Sequence, residues 1–420
     1  MQPPADHIFH HTPETLAIWC ELRHLPPYRA KQNLDWVYHK GIIDPLGMSN
    51  LPKRDRKLLA REMVFDSGTT LAHQIASDGT QKLLIEWADF GRAQSMPDRA
   101  DGSNARPAAN TTPTTPTAPA SPADISLPIH PQESADSPAT APRPERQTEC
   151  VMIPVTEKSK SRRTACISSQ IGCPVGCRFC ASGLGGLDGN LTAGRIIEQV
   201  WKLNRMLADQ ASSAFFGPEA PRLTNIVFMG MGEPLANFAN CIHAVRTLAA
   251  PWGPNISARK ITISTVGMPA AITRLARELE LPVTLALSLH APNDELRRSL
   301  IPWAQYSTID QLLEACQGWF KKTGREITLE YILLGGVNDS PEHAVELARI
   351  ARNLRANVNL IRYNEVSPLE FARPATDDVR NFAQILRARK VNAHIRASRG
   401  RDIAAACGQL RHEAMTEDSL

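Results

Sequence analysis

The sequence of 420 residues lacks the features that export or membrane insertion requires. Its N-terminal stretch, MQPPADHIFHHTPETLAIWC, has no basic segment followed by an apolar one. No apolar run approaches the roughly 18–20 residues of a membrane span. The nine cysteines are an odd number, which without an export signal favours free thiols over a disulfide scaffold. We therefore expect a soluble, cytoplasmic protein with no membrane partner and with thiol chemistry.

The net charge is only +4, from 47 Lys+Arg and 43 Asp+Glu, and the basic excess lies after the first 150 residues. A modest basic balance is compatible with a nucleic-acid partner, but many cytoplasmic enzymes share it. Charge alone therefore leaves the type of partner open.

Composition divides the chain into five segments. The segment 92–147 is rich in Pro, Ala, Thr and Ser and has no aromatic residue. It cannot bury enough apolar surface to offset the entropy of ordering, so we predict a disordered, low-complexity insert. The others are a helical accessory domain at 1–75, a linking strand segment at 76–91, a large domain at 148–410 and a tail at 411–420.

A basic helix is predicted near the end of the accessory domain. Leu58, Leu59 and Met63 repeat at near-helical spacing. The basic residues around them are Lys53, Arg54, Arg56, Lys57 and Arg61. This helix could contact nucleic acid, although a solvated charged helix explains the pattern equally well.

After the insert, short apolar stretches alternate with amphipathic ones. The strand candidates are TACISSQ, TNIVFMG, KITISTVG, PVTLALSLH, EITLEYILL, NVNLIRYN and NAHIRASR. The helix candidates include TAGRIIEQVWKLNRML, MPAAITRLARELE, TIDQLLEACQGWFKK and SPEHAVELARIARNL. This alternation predicts right-handed βαβ crossovers and a parallel sheet. We therefore predict an α/β fold, with six or more units favouring a complete or partial (β/α) barrel.

Polar residues recur where the predicted strands end. They are Cys173, Glu233, Ser264, Ser288, His290 and Asn364. The active site of a (β/α) barrel lies at the C-terminal ends of its strands. Since core packing does not explain this recurrence, these residues are candidates for the functional site.

Three of the cysteines, Cys173, Cys177 and Cys180, form a CxxxCxxC triplet after the first predicted strand. A structural zinc usually takes four ligands as two separated pairs, and no second closely spaced cysteine pair completes such a set. A [4Fe–4S] cluster held by three cysteines keeps one iron open for a small ligand. The triplet therefore favours an iron–sulfur cluster over a zinc site or a fortuitous spacing.

The triplet and its surroundings resemble the radical S-adenosylmethionine (SAM) superfamily, in which the open iron binds SAM. FMGMGEP resembles the glycine-rich strand end that contacts the SAM ammonium group. GMGEPL, STVG, SLHAPND, GVND, NLI and ACGQL follow in the order typical of the RlmN/Cfr family of radical SAM rRNA methyltransferases. The match covers nearly all of 149–410, and YRAKQNLDWVYHKG is similar to the family's accessory domain. The resemblance implies a partial (β/α)6-type radical SAM barrel.

The resemblance also implies site residues. Cys407 is expected to carry a methyl group as S-methylcysteine. Cys166 is expected to resolve the protein–RNA thioether and form a transient disulfide with Cys407, and Glu149 to accept a proton. The expected cluster ligands are Cys173, Cys177 and Cys180. The expected SAM-binding residues are Gly232, Glu233, Ser264, Ser288, Leu289, His290 and Asn364.

The implied reaction methylates carbon 2 of an adenine in 23S rRNA, with tRNA as a further candidate substrate. Carbon 2 is electrophilic, so ordinary alkylation by SAM cannot methylate it, and the family uses two SAM per turnover with a 5′-deoxyadenosyl radical. Implied partners are an electron donor such as flavodoxin and a thiol reductant, and the chain is expected to be a monomer. Alternatives left open are methylation at C8, a non-catalytic RNA-binding or ribosome-assembly factor with a cluster, and a small-molecule radical SAM enzyme.

The chain departs from the family pattern at four positions. Arg362 and Glu365 replace two prolines common after the sixth strand, and Arg401 and Ala404 stand where acidic residues are frequent. These departures could alter substrate fit without removing the chemistry. The remaining cysteines carry no motif, and we interpret them as packing residues: Cys20, Cys150, Cys241 and Cys316.

Overall fold

The computed structural model describes residues 6–88, 146–157, 160–213, 216, 220–367 and 369–410. The predicted insert at 92–147 lies outside the described residues except for its last two positions, and so does the predicted tail. Gln147, the last residue of the predicted insert, opens a strand. No described helix combines the length and the apolar character that a membrane span requires.

Strands and helices alternate through most of the described chain. The strands are β1 (Asp6–His7), β2 (Met63–Val64), β3 (Gly68–Ile75), β4 (Gln81–Trp87), β5 (Gln147–Glu157), β6 (Lys160–Cys166), β7 (Gln170–Gly172), β8 (Leu187–Asn190), β9 (Asn225–Phe228), β10 (Ile261–Thr265), β11 (Thr284–Ser288), β12 (Ile327–Leu333), β13 (Asn357–Arg362) and β14 (Ala393–Arg396). The α-helices are α1 (Pro13–Glu21), α2 (Arg29–Tyr38), α3 (Lys53–Glu62), α4 (Ala193–Gln210), α5 (Phe238–Ala249), α6 (Pro269–Glu278), α7 (Asp294–Leu300), α8 (Ile309–Thr323), α9 (Pro341–Leu354) and α10 (Thr376–Ala388).

A ten-stranded sheet forms the centre of the molecule, in the order β14-β13-β12-β11-β10-β9-β6-β5-β4-β3. The strands from β6 through β9 to β14 are all parallel. Among the described strands, β14 and β3 stand at the two edges, so hydrogen bonds do not close the sheet into a full barrel. This arrangement confirms the predicted α/β fold with a partial barrel.

Three antiparallel strands extend the sheet on the side of β6, and the sequence patterns did not reveal their pairing. β5 pairs with both β4 and β6, so β6 begins at Lys160, earlier than the predicted strand TACISSQ. β3 lies within the range assigned to the helical accessory domain, but it belongs to this sheet. Such long-range pairing is not readable from local periodicity.

The helices begin and end at residues suited to those positions. Thr308 and Gln311 form a reciprocal capping box at the start of α8, and Gly324 ends that helix with a φ of +65°. Thr192 caps the long helix α4, whose buried face contributes Ile196, Val200 and other apolar side chains to the core. These caps satisfy backbone groups that the helix itself leaves unpaired.

The accessory helices are attached to the large domain through a buried carboxylate on α4. Glu198 accepts hydrogen bonds from the Ser67 and Gly68 amides at 3.1 and 2.9 Å and from His7 Nε2 at 2.9 Å, while Lys202 Nζ lies 3.4 Å away. Burial alone would raise the pKa of Glu198, but the hydrogen bond and charge of His7, with Lys202, lower it to about 2. Glu198 therefore remains ionised and links the two parts of the chain.

Candidate active site

The cysteine triplet lies in a loop that follows the short hairpin strand β7. The Cys173 amide donates to Gly186 O at 2.6 Å, and the Arg178 amide donates to Leu300 O at 3.0 Å. Gly172 has a φ of +70°, and a Cβ at this position would collide with the same Gly186 carbonyl oxygen. Glycine is therefore required where the chain enters the loop.

Gly172→Ala is expected to lose most of the cluster after anaerobic reconstitution. A non-glycine residue in the left-handed region carries a strain of about 1–2 kcal/mol, and the carbonyl clash adds to it. Iron and sulfide content per chain measures the effect. Gly185→Ala is the matched control, because a Cβ there would meet no atom within 4 Å. Equal iron content in both variants would contradict this account of the loop.

The three thiols are partly buried and pack against one apolar cluster, which includes Val175, Phe179 and Leu300. Burial is the largest cause that raises the pKa of each thiol, and the charges of Cys180 and Cys173 add to the shift at Cys177. The cysteines are thus close neighbours, and binding of a metal centre must displace their protons.

The thiol arrangement suits a cluster better than a single ion. Within the described part of the chain, no three His, Cys, Asp or Glu side chains converge closely enough to hold one metal ion. In a cubane cluster each thiolate binds a different iron, so the three sulfur atoms lie farther apart than the ligands of a single metal ion. Three neighbouring thiols on one loop, with an apolar wall behind them, fit that demand.

The glycine-rich segment after β9 lies beside this loop. Gly232 has a φ of +98°, and a Cβ there would lie 2.6 Å from the Gln170 side chain. The buried carboxylate of Glu233 accepts hydrogen bonds from the Leu235 and Val266 amides at 3.0 and 2.7 Å. Burial raises the pKa of Glu233 to about 7, against the lowering effect of these amides. Glu233 therefore ties the ends of β9 and β10 together behind Gly232.

The other predicted SAM-binding residues line the ends of the following strands. The hydroxyls of Ser264 on β10 and Ser288 on β11 lie 3.2 Å apart, and Leu289 is fully buried. His290 has a φ of +60°, and its Nδ1 accepts from the Ile332 amide at 3.0 Å. Burial lowers the pKa of His290 to about 3, so the ring is neutral and carries its hydrogen on Nε2.

The segment that contains Cys407 crosses the mouth of the partial barrel. Gly408 O accepts from the Ala181 amide at 2.8 Å, and Leu410 O accepts from Ser182 Oγ at 2.6 Å, directly after the cluster loop. Asn364 Nδ2 donates to Cys407 O at 3.5 Å. Cys407 is itself exposed. The segment thus places an accessible thiol beside the cluster loop.

Cys166 and Cys407 come together although they are distant in sequence. Cys166 ends β6, where it packs near Ile403, Ala405 and Leu410 from the Cys407 segment. Burial, followed by the charge of Cys407, raises the pKa of Cys166 to about 12. The surrounding protein also raises the pKa of Cys407, and a charge on Cys180 adds to this effect. Both thiols are reduced, since all nine cysteines are free.

Glu149 lies on β5 in a buried ion pair. Its Oε1 lies 2.6 Å from Lys82 Nζ, and the same ammonium donates to Ala404 O in the Cys407 segment at 3.4 Å. The predicted proton acceptor is therefore connected to the Cys407 segment through Lys82. Sequence reasoning missed Lys82, which becomes a neighbour of Glu149 only through the pairing of β4 with β5.

A second charged pair inside the barrel was also missed. Glu330 is buried on β12, where Asn359 Nδ2 donates to its Oε1 at 2.9 Å and Arg396 Nη1 lies 3.5 Å from its Oε2. The positive charge of Arg396 acts to lower the pKa of both Cys166 and Cys407, against the net upward shift of each. A glutamate inside the apolar strand EITLEYILL was the available sequence signal.

Two of the departures from the family pattern make contacts at the barrel mouth. Arg362 donates to Pro374 O through Nε and Nη2 at 3.1 and 2.8 Å, which holds the segment after β13 against the strand end. Glu365 O accepts from Gln409 Nε2 at 3.0 Å. These residues therefore support the segments that flank Asn364 and Cys407.

Comparisons with known proteins match both parts of the chain. Residues 167–348 match the model of the radical SAM superfamily, and residues 8–64 match that of the ribosomal RNA large subunit methyltransferase N-terminal domain. Together with the cluster loop and the partial barrel, the first match defines the chain as a radical SAM enzyme. A [4Fe–4S] cluster and SAM are the cofactors of this superfamily, which confirms both cofactor predictions.

Full-length relatives narrow the assignment. A probable dual-specificity RNA methyltransferase RlmN of Rhodopirellula baltica is 35% identical over 409 residues, 97% of this chain and 91% of that protein. A probable dual-specificity RNA methyltransferase RlmN 3 of Opitutus terrae is 38% identical over 95% of this chain and 92% of that protein. The crystal structure of a radical SAM methyltransferase from Sphaerobacter thermophilus superposes with a TM-score of 0.78, at 37% identity, and covers 97% of this chain and all of that one. The chain belongs to the RlmN family of radical SAM RNA methyltransferases.

Proposed function

We propose that this enzyme methylates carbon 2 of an adenine in 23S rRNA, and in tRNA as a second substrate, through a methyl group carried on Cys407. The proposal rests mainly on one observation: the Cys407 segment packs against Cys166 on one side, and on the other its Gly408 and Leu410 carbonyls accept hydrogen bonds from residues directly after the cluster loop. A base placed at this mouth would meet the carrier, the second thiol and the cofactors together. Bases that undergo such chemistry are taken out of their stack.

The cluster and SAM, when bound, supply the methyl group and the 5′-deoxyadenosyl radical. Cys173, Cys177 and Cys180 would hold the cluster. The SAM-binding residues proposed from the family pattern are Gly232, Glu233, Ser264, Ser288, Leu289, His290 and Asn364. Of these, the neutral His290 and the paired serine hydroxyls offer uncharged polar contacts, which a bound sulfonium tolerates.

The chain's own thiols would carry the methyl transfer. Cys407 first becomes S-methylcysteine, and its methyl carbon, after loss of one hydrogen atom, bonds to C2 as a radical. Loss of the C2 proton and of one electron, for which the bound cluster would be the acceptor, then leaves a closed-shell thioether between the protein and RNA. Glu149 accepts the proton lost from C2. Attack of the Cys166 thiolate on the Cys407 sulfur then breaks the sulfur–methylene bond, and the methylene carbon takes up the proton held by Glu149 to complete the methyl group. The two cysteines are left as a disulfide, which needs a thiol reductant before the next turnover. An electron donor such as flavodoxin would serve the cluster.

Anaerobic turnover with methyl-labelled SAM tests the proposal. The reconstituted enzyme is incubated with a 23S rRNA fragment or tRNA, and the digested RNA is analysed by mass spectrometry. We expect a labelled methyl group on adenine C2. A methyl group on C8 would contradict the proposed position, and cleavage of SAM with unmodified RNA would show that the proposed substrate is wrong.

A further inference from the structure

Arg297 on α7 is almost completely buried, with 1% of its surface exposed. Its Nε donates to Leu289 O at 3.3 Å, and its Nη2 donates to Val266 O. Its third nitrogen, Nη1, is buried without a hydrogen-bond partner. A buried charged donor without a hydrogen bond is strongly unfavourable, so such an atom calls for an explanation.

Two acidic side chains lie close to Arg297. Charges on Asp294 and Cys177 both act on Arg297. Asp294 Oδ1 already accepts from the Ile309 amide at 2.8 Å, and Asp294 is the first, half-buried residue of α7. Cys177 belongs to the cluster loop, so the buried guanidinium that carries the unpaired donor lies near a cluster ligand.

The helix that carries Arg297 is held against the cluster loop. Leu296 and Leu300 on α7 pack in the same apolar cluster as Val175 and Phe179 of the loop. The Arg178 amide of the loop donates to the last carbonyl of α7, that of Leu300, at 3.0 Å. The guanidinium is therefore held near the cluster loop by the packing of its helix.

We propose that Arg297 donates a hydrogen bond from Nη1 to the sulfur of Cys177 when the cluster is bound, and thereby raises the reduction potential of the cluster. Reduction adds a negative charge, which a buried cation and a hydrogen bond to sulfur stabilise. Because the protein interior screens charges weakly, the positive charge of Arg297 has a large effect on the reduction potential of the cluster. The proposal concerns only the cluster, so its test does not depend on which RNA the enzyme modifies.

A planar guanidinium suits this position better than an ammonium. Its fixed fork allows two nitrogens to serve the Leu289 and Val266 carbonyls while the third points elsewhere. Arg297 is thus a positioning and tuning residue, and its test must include a property that a purely structural residue would not change. The reduction potential is such a property.

The experiment is a redox titration of the reconstituted full-length enzyme, followed by EPR without SAM. Arg297→Gln keeps an N–H donor but removes the charge, Arg297→Lys keeps the charge, and Arg298→Gln removes the exposed neighbouring charge as a matched control. In Arg297→Gln we expect the ratio of reduced to oxidised cluster at a given potential to be at least tenfold lower than in the wild type. This corresponds to a shift of the reduction potential of about 59 mV to more negative values for one electron. Arg297→Lys should retain most of the wild-type potential, and Arg298→Gln should not differ from it.

A wild-type potential in cluster-loaded Arg297→Gln would overturn the proposal. An unchanged potential together with weaker SAM binding would also overturn it and would assign Nη1 to the SAM carboxylate. If Arg297→Gln holds no cluster, wild-type enzyme labelled with guanidino-¹⁵N arginine decides the question. A ¹⁵N coupling to the reduced cluster in pulsed EPR, lost in Arg297→Lys, supports the hydrogen bond, and absence of the coupling in the wild type rejects it.

Discussion

Cys407→Ala is expected to abolish RNA methylation while the enzyme still folds, holds its cluster and cleaves SAM. Without the thiol there is no carrier for the methyl group, so the route through a covalent intermediate is closed. We expect the rate to fall by at least ~10³-fold, to background. The fold should be unaffected, because Cys407 is exposed and the segment is held by the backbone oxygens of Gly408 and Leu410.

The measurement compares methylated RNA and 5′-deoxyadenosine in the same anaerobic reactions. Cys316→Ala serves as the control, because Cys316 is buried on α8 and has no motif context. Cys316→Ala should retain methylation, with any loss confined to stability. Methylation by Cys407→Ala above background would exclude a methyl carrier at this position and, with it, the proposed route.

Cys166→Ala is expected to accumulate a covalent adduct between the protein and RNA. Of the two thiols, the first half of the reaction needs only Cys407, so the thioether should form. Without Cys166, no thiol then attacks the Cys407 sulfur to release the base. Turnover should stop after about one RNA per enzyme, as expected when an intermediate cannot break down. The structure supports this division of roles, since Cys166 lies beneath the Cys407 segment and not in the cluster loop.

Denaturing gels with labelled RNA detect the adduct, and mass spectrometry of the digested complex locates the attachment. The double variant Cys166→Ala/Cys407→Ala should form no adduct, and Cys241→Ala, altered at a buried cysteine on α5, should behave as the wild type. Multiple turnovers by Cys166→Ala, or an adduct on a cysteine other than Cys407, would be incompatible with this assignment.

The cluster loop and the strand ends could be predicted because their determinants are close in sequence. Three cysteines within eight residues must share one loop, and strands separated by amphipathic helices must run parallel. For this reason Glu233, Ser264, Ser288 and Asn364 were expected at one edge of the sheet. The structure has each of them at or just after the C-terminal end of a parallel strand.

The partners of these residues could not be predicted in the same way. Lys82 lies beside Glu149 because β4 and β5 pair in their antiparallel register. Arg396 lies beside Glu330 because β12, β13 and β14 are neighbours in the sheet. Neither pair has a spacing that local periodicity can reveal. A one-residue slip of register would turn these side chains to the opposite face of the sheet.

The amino-acid sequence by itself was sufficient for the class of chemistry, because the ligand spacing and the glycine-rich turns are local requirements of the cofactors. Folding of the whole chain was needed to bring Cys407 to Cys166, to pair Glu149 with Lys82 and to bury one nitrogen of Arg297 without a hydrogen-bond partner. Those contacts join segments that are far apart in the chain. They arise only when the strands are in register and the helices pack, because burial and charge at a site are properties of everything that surrounds it.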